Sequence, residues 1–291
     1  MKRKLIFLIN PASGIDNKGQ IARVINENID KTLYEHNVLY TSYPGHGHII
    51  GQQAVKENVD GVVVVGGDGS INEVAKALVN TPVALGIIPL GSGNGLAHFL
   101  KIPFNPVKSI ETINSFKTIK IDTLSINNHF CISIAGLGFD AKVAQKFARV
   151  KIRGFWSYFR IALSEYAGYG EKEYHLTYGG NQIVRNALLI NVANSNQYGY
   201  KAVISPSSVI DDGLVEICIV KKVPLVLAPF EAYRLFTKTI HRSPFYESIS
   251  SDEITIVQKE EQITQIDGEP IDLGKTINIK VIPQSLNVIV N

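Results

Sequence analysis

The chemically richest residues of the chain are Gly66-Gly67-Asp68-Gly69-Ser70, set between a run of valines, Val62 to Val65, and a helical pattern of Val74, Ala77 and Leu78. Glycines at a strand-to-helix junction let the backbone come close to a ligand, and N–H groups at a helix start attract anions. Asp68 stands in the middle of that junction. A carboxylate placed directly against a phosphate would repel it, so Asp68 has to work through a metal ion, a water or a hydroxyl group. That combination points to phosphoryl-group chemistry. Ser70 and Glu73 also have the spacing of a capping box, in which each side chain satisfies a backbone N–H of the other, so Glu73 by itself reads as structural. Asp68, between Gly67 and Gly69, has no comparable structural reason.

Other segments carry weaker signals. Asn10-Pro11-Ala12-Ser13-Gly14 follows the first strand-like run and reads either as a phosphate wrap or as a plain turn. Pro89-Leu90-Gly91-Ser92-Gly93-Asn94-Gly95 offers donors and backbone room together. Gly136-Leu137-Gly138-Phe139-Asp140-Ala141 fits a dinucleotide fingerprint, but it lies where the parallel rhythm has stopped, and tight helix–strand packing explains it. No Gly-x-x-x-x-Gly-Lys-Ser/Thr motif occurs. Asp211-Asp212-Gly213 is either an ordinary turn or a Mg²⁺ holder built from a carboxylate and backbone carbonyls. Ile266-Asp267-Gly268-Glu269-Pro270 places two acids around a glycine, and on its residues alone reads as a solvated turn. His46 and His48, in a glycine-flanked loop, suit polar contacts better than zinc ligation.

The elements that position these residues alternate at first. Leu5–Ile9 reads as a strand, and Ile21, Val24, Ile25 and Ile29 repeat with helical spacing. Val38–Tyr40, Val62–Val65 and Ala84–Ile88 read as further strands, with helices near 51–58 and from Ser70. Such units build a doubly wound parallel sheet whose ligands sit beyond the carboxyl ends of the strands. The loops carrying Thr41, Asp68 and Ser92 should therefore converge on one crevice. After about residue 120 the rhythm changes. Strand-like 174–178 and 183–192 flank Gly179-Gly180-Asn181, a hairpin signal. Leu214–Val220, Ile254–Val257 and Ile277–Val281 read as strands too, and one helical stretch covers 141–167. The expected architecture is α/β: an N-terminal doubly wound, Rossmann-like domain over residues 1–122, then a mainly antiparallel β-sandwich over 123–291 with a helical insertion near 141–167. No internal repeat or low-complexity segment is visible.

A chain of 291 residues, 45% hydrophobic and 19% charged, has ample core for two domains. Its net charge of +3 suits phosphate ligands or an anionic membrane surface and does not argue for nucleic acid. Cys131 and Cys218 sit in apolar strand-like runs and read as buried thiols in a reducing compartment. Met1-Lys2-Arg3-Lys4 is basic, but Leu5–Ile9 is too short for a signal sequence, and no apolar run is long enough to span a bilayer. The expectation is a cytoplasmic protein that meets membranes only peripherally. Lys142, Lys146, Arg149, Lys151, Arg153 and Arg160 interleave with Phe147, Phe155, Trp156, Tyr158 and Phe159. That stretch suits an interface with anionic lipid head groups, although its aromatic half equally suits core packing.

Taken together and in order, Asn10–Gly14, Thr41, Gly66–Ser70, Pro89–Ala97, Asp211–Leu214 and Asp267–Glu269 resemble the diacylglycerol kinase and sphingosine kinase superfamily of lipid kinases, especially its bacterial branch. The resemblance implies a nucleotide-binding domain followed by a β-sandwich, with the active site in the cleft between them. It implies an ATP-dependent, Mg²⁺-dependent transfer of the γ-phosphate to a lipid hydroxyl of diacylglycerol or sphingoid type. A homodimer is a possible assembly, although the sequence does not give the oligomeric state. ATP would be held by Asn10, Pro11, Ala12, Ser13 and Gly14, by Thr41, by Gly67, Asp68, Gly69, Ser70, Ile71, Asn72 and Glu73, and by Ser92. Asp212, with backbone carbonyls near Val209 and Leu214, would bind a structural Mg²⁺. Glu269 or Asp267 would take the proton from the lipid hydroxyl, and Asp68 would bind the catalytic Mg²⁺, orient that hydroxyl or itself be the base. Gly95 stands where bacterial diacylglycerol kinases commonly have an acid, and the Ser92-Gly93-Asn94 form looks more like the sphingosine kinase branch. An NAD kinase-like enzyme and a catalytically silent lipid- or nucleotide-binding module are the alternatives.

Overall fold

Apolar runs and amphipathic segments alternate through the first third of the chain, and the computed structural model resolves them as strands and helices in strict succession. They are β1 (Arg3–Ile9), α1 (Lys18–Asn28), β2 (Tyr34–Tyr40), α2 (His46–Lys56), β3 (Gly61–Gly66), α3 (Asp68–Leu78), β4 (Ala84–Pro89), α4 (Gly95–Phe99) and α5 (Pro106–Ser115). The structure describes residues 1–11, 18–150, 154–199 and 201–291. Residues 1–121 and 284–291 form one unit, and residues 122–283 a second.

In the first unit the strands run parallel in the order β2-β1-β3-β4. β3 and β4 are buried along their whole length, which is why they read as unbroken apolar runs rather than alternating ones. Leu5, Phe7, Ile9, Val63, Val65 and Ile88 pack with Ile25 of α1 and Ile110 of α5. Each such fully buried aliphatic side chain stabilises the fold by roughly 1.5–3 kcal/mol. Because β2 lies on one side of β1 and β3 on the other, the chain reverses direction between β1 and β3, the position where open α/β sheets bind ligands. Residues 284–291, expected in the C-terminal domain, belong here instead: Val288 pairs in parallel with Leu85 and Ile289 is buried in this core.

The second unit contains β5 (Lys117–Ile126, entering from the first), β6 (His129–Cys131), β7 (Ile134–Gly138), α6 (Phe139–Phe147), α7 (Phe155–Tyr166), β8 (Lys172–Tyr178), β9 (Asn181–Ala187), β10 (Leu189–Ala193), β11 (Val215–Val220), α8 (Ala228–Phe236), β12 (Tyr246–Ser251), β13 (Glu253–Gln258), β14 (Thr264–Ile266), β15 (Glu269–Ile271) and the first half of β16 (Thr276–Val290). One sheet has the order β12-β11-β10-β7-β14-β15, and a second layer joins β16, β13, β8 and β9, with the pairings of both antiparallel. Leu137, Ile190, Val192 and Ile217 of one layer meet Leu176, Ile254, Ile256 and Ile277 of the other in a shared core. This is the antiparallel sandwich expected from the sequence. Gly179 and Gly180, both at positive φ, make the predicted hairpin turn between Tyr178 and Asn181.

Further features depart from expectation. The apolar run 183–192 is two strands, because the chain changes layers at Leu188: Ala187 pairs with β8, whereas Leu189 pairs with β7 and β11. α8 is a helix the sequence reading lacked. The helical stretch near 141–167 is α6 followed by α7. Cys131 and Cys218 are both buried free thiols.

Candidate active site

Parallel strands place the segments after β1, β2, β3 and β4 at one edge of the first unit's sheet. Backbone hydrogen bonds join them there: Asn10 N–H to Val65 O, Thr41 N–H to Ile9 O, and Leu90 N–H to Gly66 O. The convergence expected for Thr41, Asp68 and Ser92 is thus observed at the level of their loops. Asn10 Nδ2 donates to Ser70 Oγ at 2.7 Å, which bridges the β1–β3 reversal. α3 begins at Asp68, not Ser70, with Gly67 as its N-cap. Its first intrahelical bond runs from Ile71 N–H to Gly67 O, so the N–H groups of Gly69 and Ser70 point out of the helix start.

Ser70 and Glu73 accordingly do not form a capping box. Glu73 instead accepts the N–H groups of Gly45 and Gly47 at 2.7 and 3.0 Å and so caps the neighbouring α2. Ile71, 1% exposed, is a core residue whose backbone alone faces the helix start. His46 accepts the Ser42 N–H and stacks on Tyr43, and His48 lies 3.3 Å from Glu73 O. Ala12, Ser13 and Gly14 lie outside the described residues.

The two glycine loops of this edge touch. A Cβ on Gly91 would stand 2.4 Å from Gly67 Cα and 2.7 Å from Asn94 Oδ1, and one on Gly67 would stand 3.0 Å from Gly91 Cα. Asn94, buried and at positive φ, ties the β4–α4 loop by accepting from Gly91 N–H and donating to Gly91 O. Asp68 Oδ2 lies against Gly93, 3.0 Å from where a Cβ would be. The glycines therefore bring the Asp68 carboxylate and a backbone-lined loop together, and Ser92 is exposed at that loop's tip. Gly91→Ala has to push the loops apart. Overpacking of this kind typically costs about 1–3 kcal/mol. We expect a melting temperature lowered by only a few degrees, as read by thermal denaturation.

In the second unit, Asp267 and Gly268, at φ +49° and +89°, form the two-residue turn between β14 and β15. Asp267 faces inward. Its carboxylate accepts N–H groups from Ile132, Ser133 and Ile134 at 2.9, 2.8 and 3.1 Å, with the Cys131 thiol at 3.5 Å. Burial and the adjacent Asp267 charge push the Cys131 thiol well above the usual range. Glu269 is exposed, its backbone opposite Ile266, and its carboxylate has no hydrogen bond or ion pair among the described residues. The neighbours thus have different surroundings: Asp267 holds the β6–β7 connection, and the Glu269 carboxylate faces solvent.

Asp212 is exposed and its Oδ1 accepts the Leu214 N–H at 2.9 Å, an Asx turn. Val209 and Leu214 are exposed on the same loop. Asp122, which the sequence reading passed over, is fully buried, and its Oδ2 accepts Gly213 N–H at 2.7 Å. An acid interrupting the apolar alternation of Lys117–Ile126 was the signal available for it. No group of at least three His, Cys, Asp or Glu side chains forms a metal cluster among the described residues. The Asp212 turn offers only oxygen donors, a carboxylate and backbone carbonyls, the donor type a hard divalent cation takes alongside water.

With these positions established, comparison with known proteins separates the readings. Residues 4–126 match the diacylglycerol kinase catalytic domain, and residues 133–290 match the YegS C-terminal NAD kinase beta sandwich-like domain. The chain belongs to the diacylglycerol kinase and YegS family of lipid kinases. It is 27% identical to a diacylglycerol kinase of Staphylococcus aureus (strain bovine RF122) over 229 residues, 76% of this chain and 72% of the relative. It is also 27% identical to a "probable lipid kinase YegS-like" of Pectobacterium atrosepticum over 303 residues, 97% of this chain and 94% of the relative. The crystal structure of a diacylglycerol kinase from Bacillus anthracis strain Sterne shares the fold, with a TM-score of 0.76 at 19% identity, over 99% of this chain and 97% of that one. Membership makes the chain a lipid kinase, and a kinase family implies ATP as phosphoryl donor.

Proposed function

We propose that this lipid kinase transfers the γ-phosphate of ATP, with Mg²⁺, to the hydroxyl of a diacylglycerol- or sphingoid-type lipid. The observation that carries the proposal is the Asp68–Ser70 helix start at the β1–β3 reversal, bridged to Asn10 and packed against the Gly91–Asn94 loop. Asn10 to Gly14, Thr41, Gly67 to Glu73 and Ser92 hold the nucleotide, with Ile71 contributing backbone and Glu73 acting through α2. Asp68 holds the catalytic Mg²⁺ or orients the lipid hydroxyl. Asp212 and the carbonyls of Val209 and Leu214 hold a second, structural Mg²⁺. Bound Mg²⁺ supplies charge neutralisation at the transferring group. Glu269, exposed and with a carboxylate unpaired among the described residues, accepts the hydroxyl proton as the lipid oxygen bonds to phosphorus and ADP leaves. Asp267 is the less suitable base, since its carboxylate is already engaged by backbone N–H groups. The test is transfer of ³²P from [γ-³²P]ATP to a panel of diacylglycerol, monoacylglycerol, sphingosine, ceramide and phosphatidylglycerol in mixed micelles. Labelling of none of them rejects the proposal.

The lipid has to be met at a bilayer, and no helix among the described residues is long and apolar enough to cross one. α7 has no buried residue and leaves Trp156 74% and Leu163 61% exposed. The segment leading through α8 adds Val226, 91% exposed, and Phe230, 57% exposed. Phe155 meets Phe236 at a ring separation of 6.0 Å, so the two stretches form one apolar face within the second unit. Of the basic residues in this stretch, Lys146 pairs with Glu165 at 2.5 Å, Arg149 and Arg160 are exposed, and Lys151 and Arg153 lie outside the described residues. Peripheral docking through this face is part of the proposal. Trp156→Ser with Phe230→Ser should weaken cosedimentation with phosphatidylglycerol vesicles by at least about tenfold, or about 1.4 kcal/mol. Activity on a short-chain acceptor in detergent should stay at the wild-type level.

A further inference from the structure

Across three neighbouring strands of the second unit, Gln265 of β14, Gly136 of β7 and Asn191 of β10 stand side by side in register. The middle position has no side chain, and the Asp140 carboxylate occupies the space: a Cβ on Gly136 would lie 1.7 Å from Asp140 Oδ2. Gln265 Nε2 and Asn191 Nδ2 both donate to that oxygen at 2.9 Å, and Tyr158 of α7 donates to Oδ1 at 3.2 Å. Tyr198 OH donates in turn to Asn191 Oδ1. Asp140 is 4% and Gln265 3% exposed. Burial raises the Asp140 carboxyl above its ordinary range, against the pull of its hydrogen-bond donors.

An acid in the first turn of α6 is favoured by the helix dipole. That does not explain why the carboxylate is buried over a glycine, or why two side-chain amides converge on one of its oxygens. The other end of Gln265 does. Its Oε1 accepts the N–H of Gly268 at 2.7 Å, the turn residue between Asp267 and Glu269. Removing a carboxylate from water is costly unless every partner is in place, and a network satisfied this fully holds its members in a single geometry.

We infer that Gln265, anchored by Asp140, is a positioning residue that fixes the turn from which Glu269 reaches the lipid hydroxyl. The inference rests on the reading of Glu269 as the base. Gln265→Met keeps the approximate shape and removes both hydrogen bonds. With dioctanoylglycerol, or the best acceptor of the lipid panel, its kcat per folded molecule should fall at least about tenfold with KM for ATP unchanged. The double variant with Glu269→Gln should be no slower than Glu269→Gln alone, because Gln265 acts through Glu269. Asp140→Asn keeps an oxygen for the two amide donors and turns its NH₂ toward the Tyr158 oxygen, so its kcat should stay close to wild type.

A kcat for Gln265→Met close to wild type, with only the melting temperature lowered, overturns the inference. So does a full multiplicative loss in the double variant, or a loss in Asp140→Asn equal to that of Gln265→Met. Should Gln265→Met not fold, Gln265→Asn, which is too short to span both partners, is tested against the same outcomes. A wild-type rate for Glu269→Gln alone rejects Glu269 as base, and only then does the inference fall together with that reading.

Discussion

Glu269→Gln should lower kcat for lipid phosphorylation by about 10²–10⁴-fold, the usual contribution of a positioned general base, with KM for ATP little changed. The substitution keeps the shape of an exposed side chain that has no partner to lose among the described residues, so the melting temperature should match the wild type. Asp267→Asn should behave in the opposite way. An amide has one oxygen where the carboxylate has two, and its NH₂ would confront a backbone N–H from Ile132, Ser133 or Ile134. Leaving such a donor unsatisfied costs about 1–3 kcal/mol, so Asp267→Asn should melt lower and lose activity through instability. Thermal denaturation and steady-state kinetics on the two variants side by side check both expectations. A stable Asp267→Asn with a base-sized loss of kcat, beside an active Glu269→Gln, would exchange the roles of the two acids.

Which parts of this arrangement could be read from sequence follows from how local their causes are. The Val62–Val65 strand and the glycines after it were legible because full burial and a tight strand-to-helix junction each impose a composition on adjacent residues. The start of α3 was misplaced by two residues because its N-cap, Gly67, contributes no side-chain hydrogen bond, while Ser70 and Glu73 imitate a cap. Glu73 is committed instead to N–H groups of a helix that begins at His46. A still greater separation in sequence hid the role of Asp267, whose donors are more than a hundred residues away. Asp140 was visible only as part of a rejected dinucleotide fingerprint, because register between separate strands, not spacing along one, creates its site. Gly136 in that fingerprint is required after all, by a carboxylate and not by a pyrophosphate. α8, a short helix whose Phe230, Tyr233 and Phe236 are exposed, was not read from the sequence.

Asp68→Ala should reduce turnover by at least about 10²–10³-fold, the loss typical when a single electrostatic group at the transition state is removed. The fold should survive. Asp68 is only partly buried, at the first position of α3, where an acid stabilises the helix by about 0.3–1 kcal/mol through the dipole. Val62 to Val65 beneath it and Ile71, Val74 and Leu78 beyond it keep the packing that decides stability. Circular dichroism and melting should therefore stay near wild type while phosphoryl transfer is lost. Mg²⁺ titration then separates the two roles left open for the residue. If Asp68 holds the catalytic ion, the variant's residual rate should rise with Mg²⁺ well beyond the concentration that saturates the wild type, since the site loses a charged oxygen donor. If Asp68 orients the lipid hydroxyl, the Mg²⁺ dependence stays unchanged and the loss appears wholly in kcat. Activity within a few-fold of wild type at every Mg²⁺ concentration would remove Asp68 from the reaction, leaving the glycine junction as a nucleotide cradle alone.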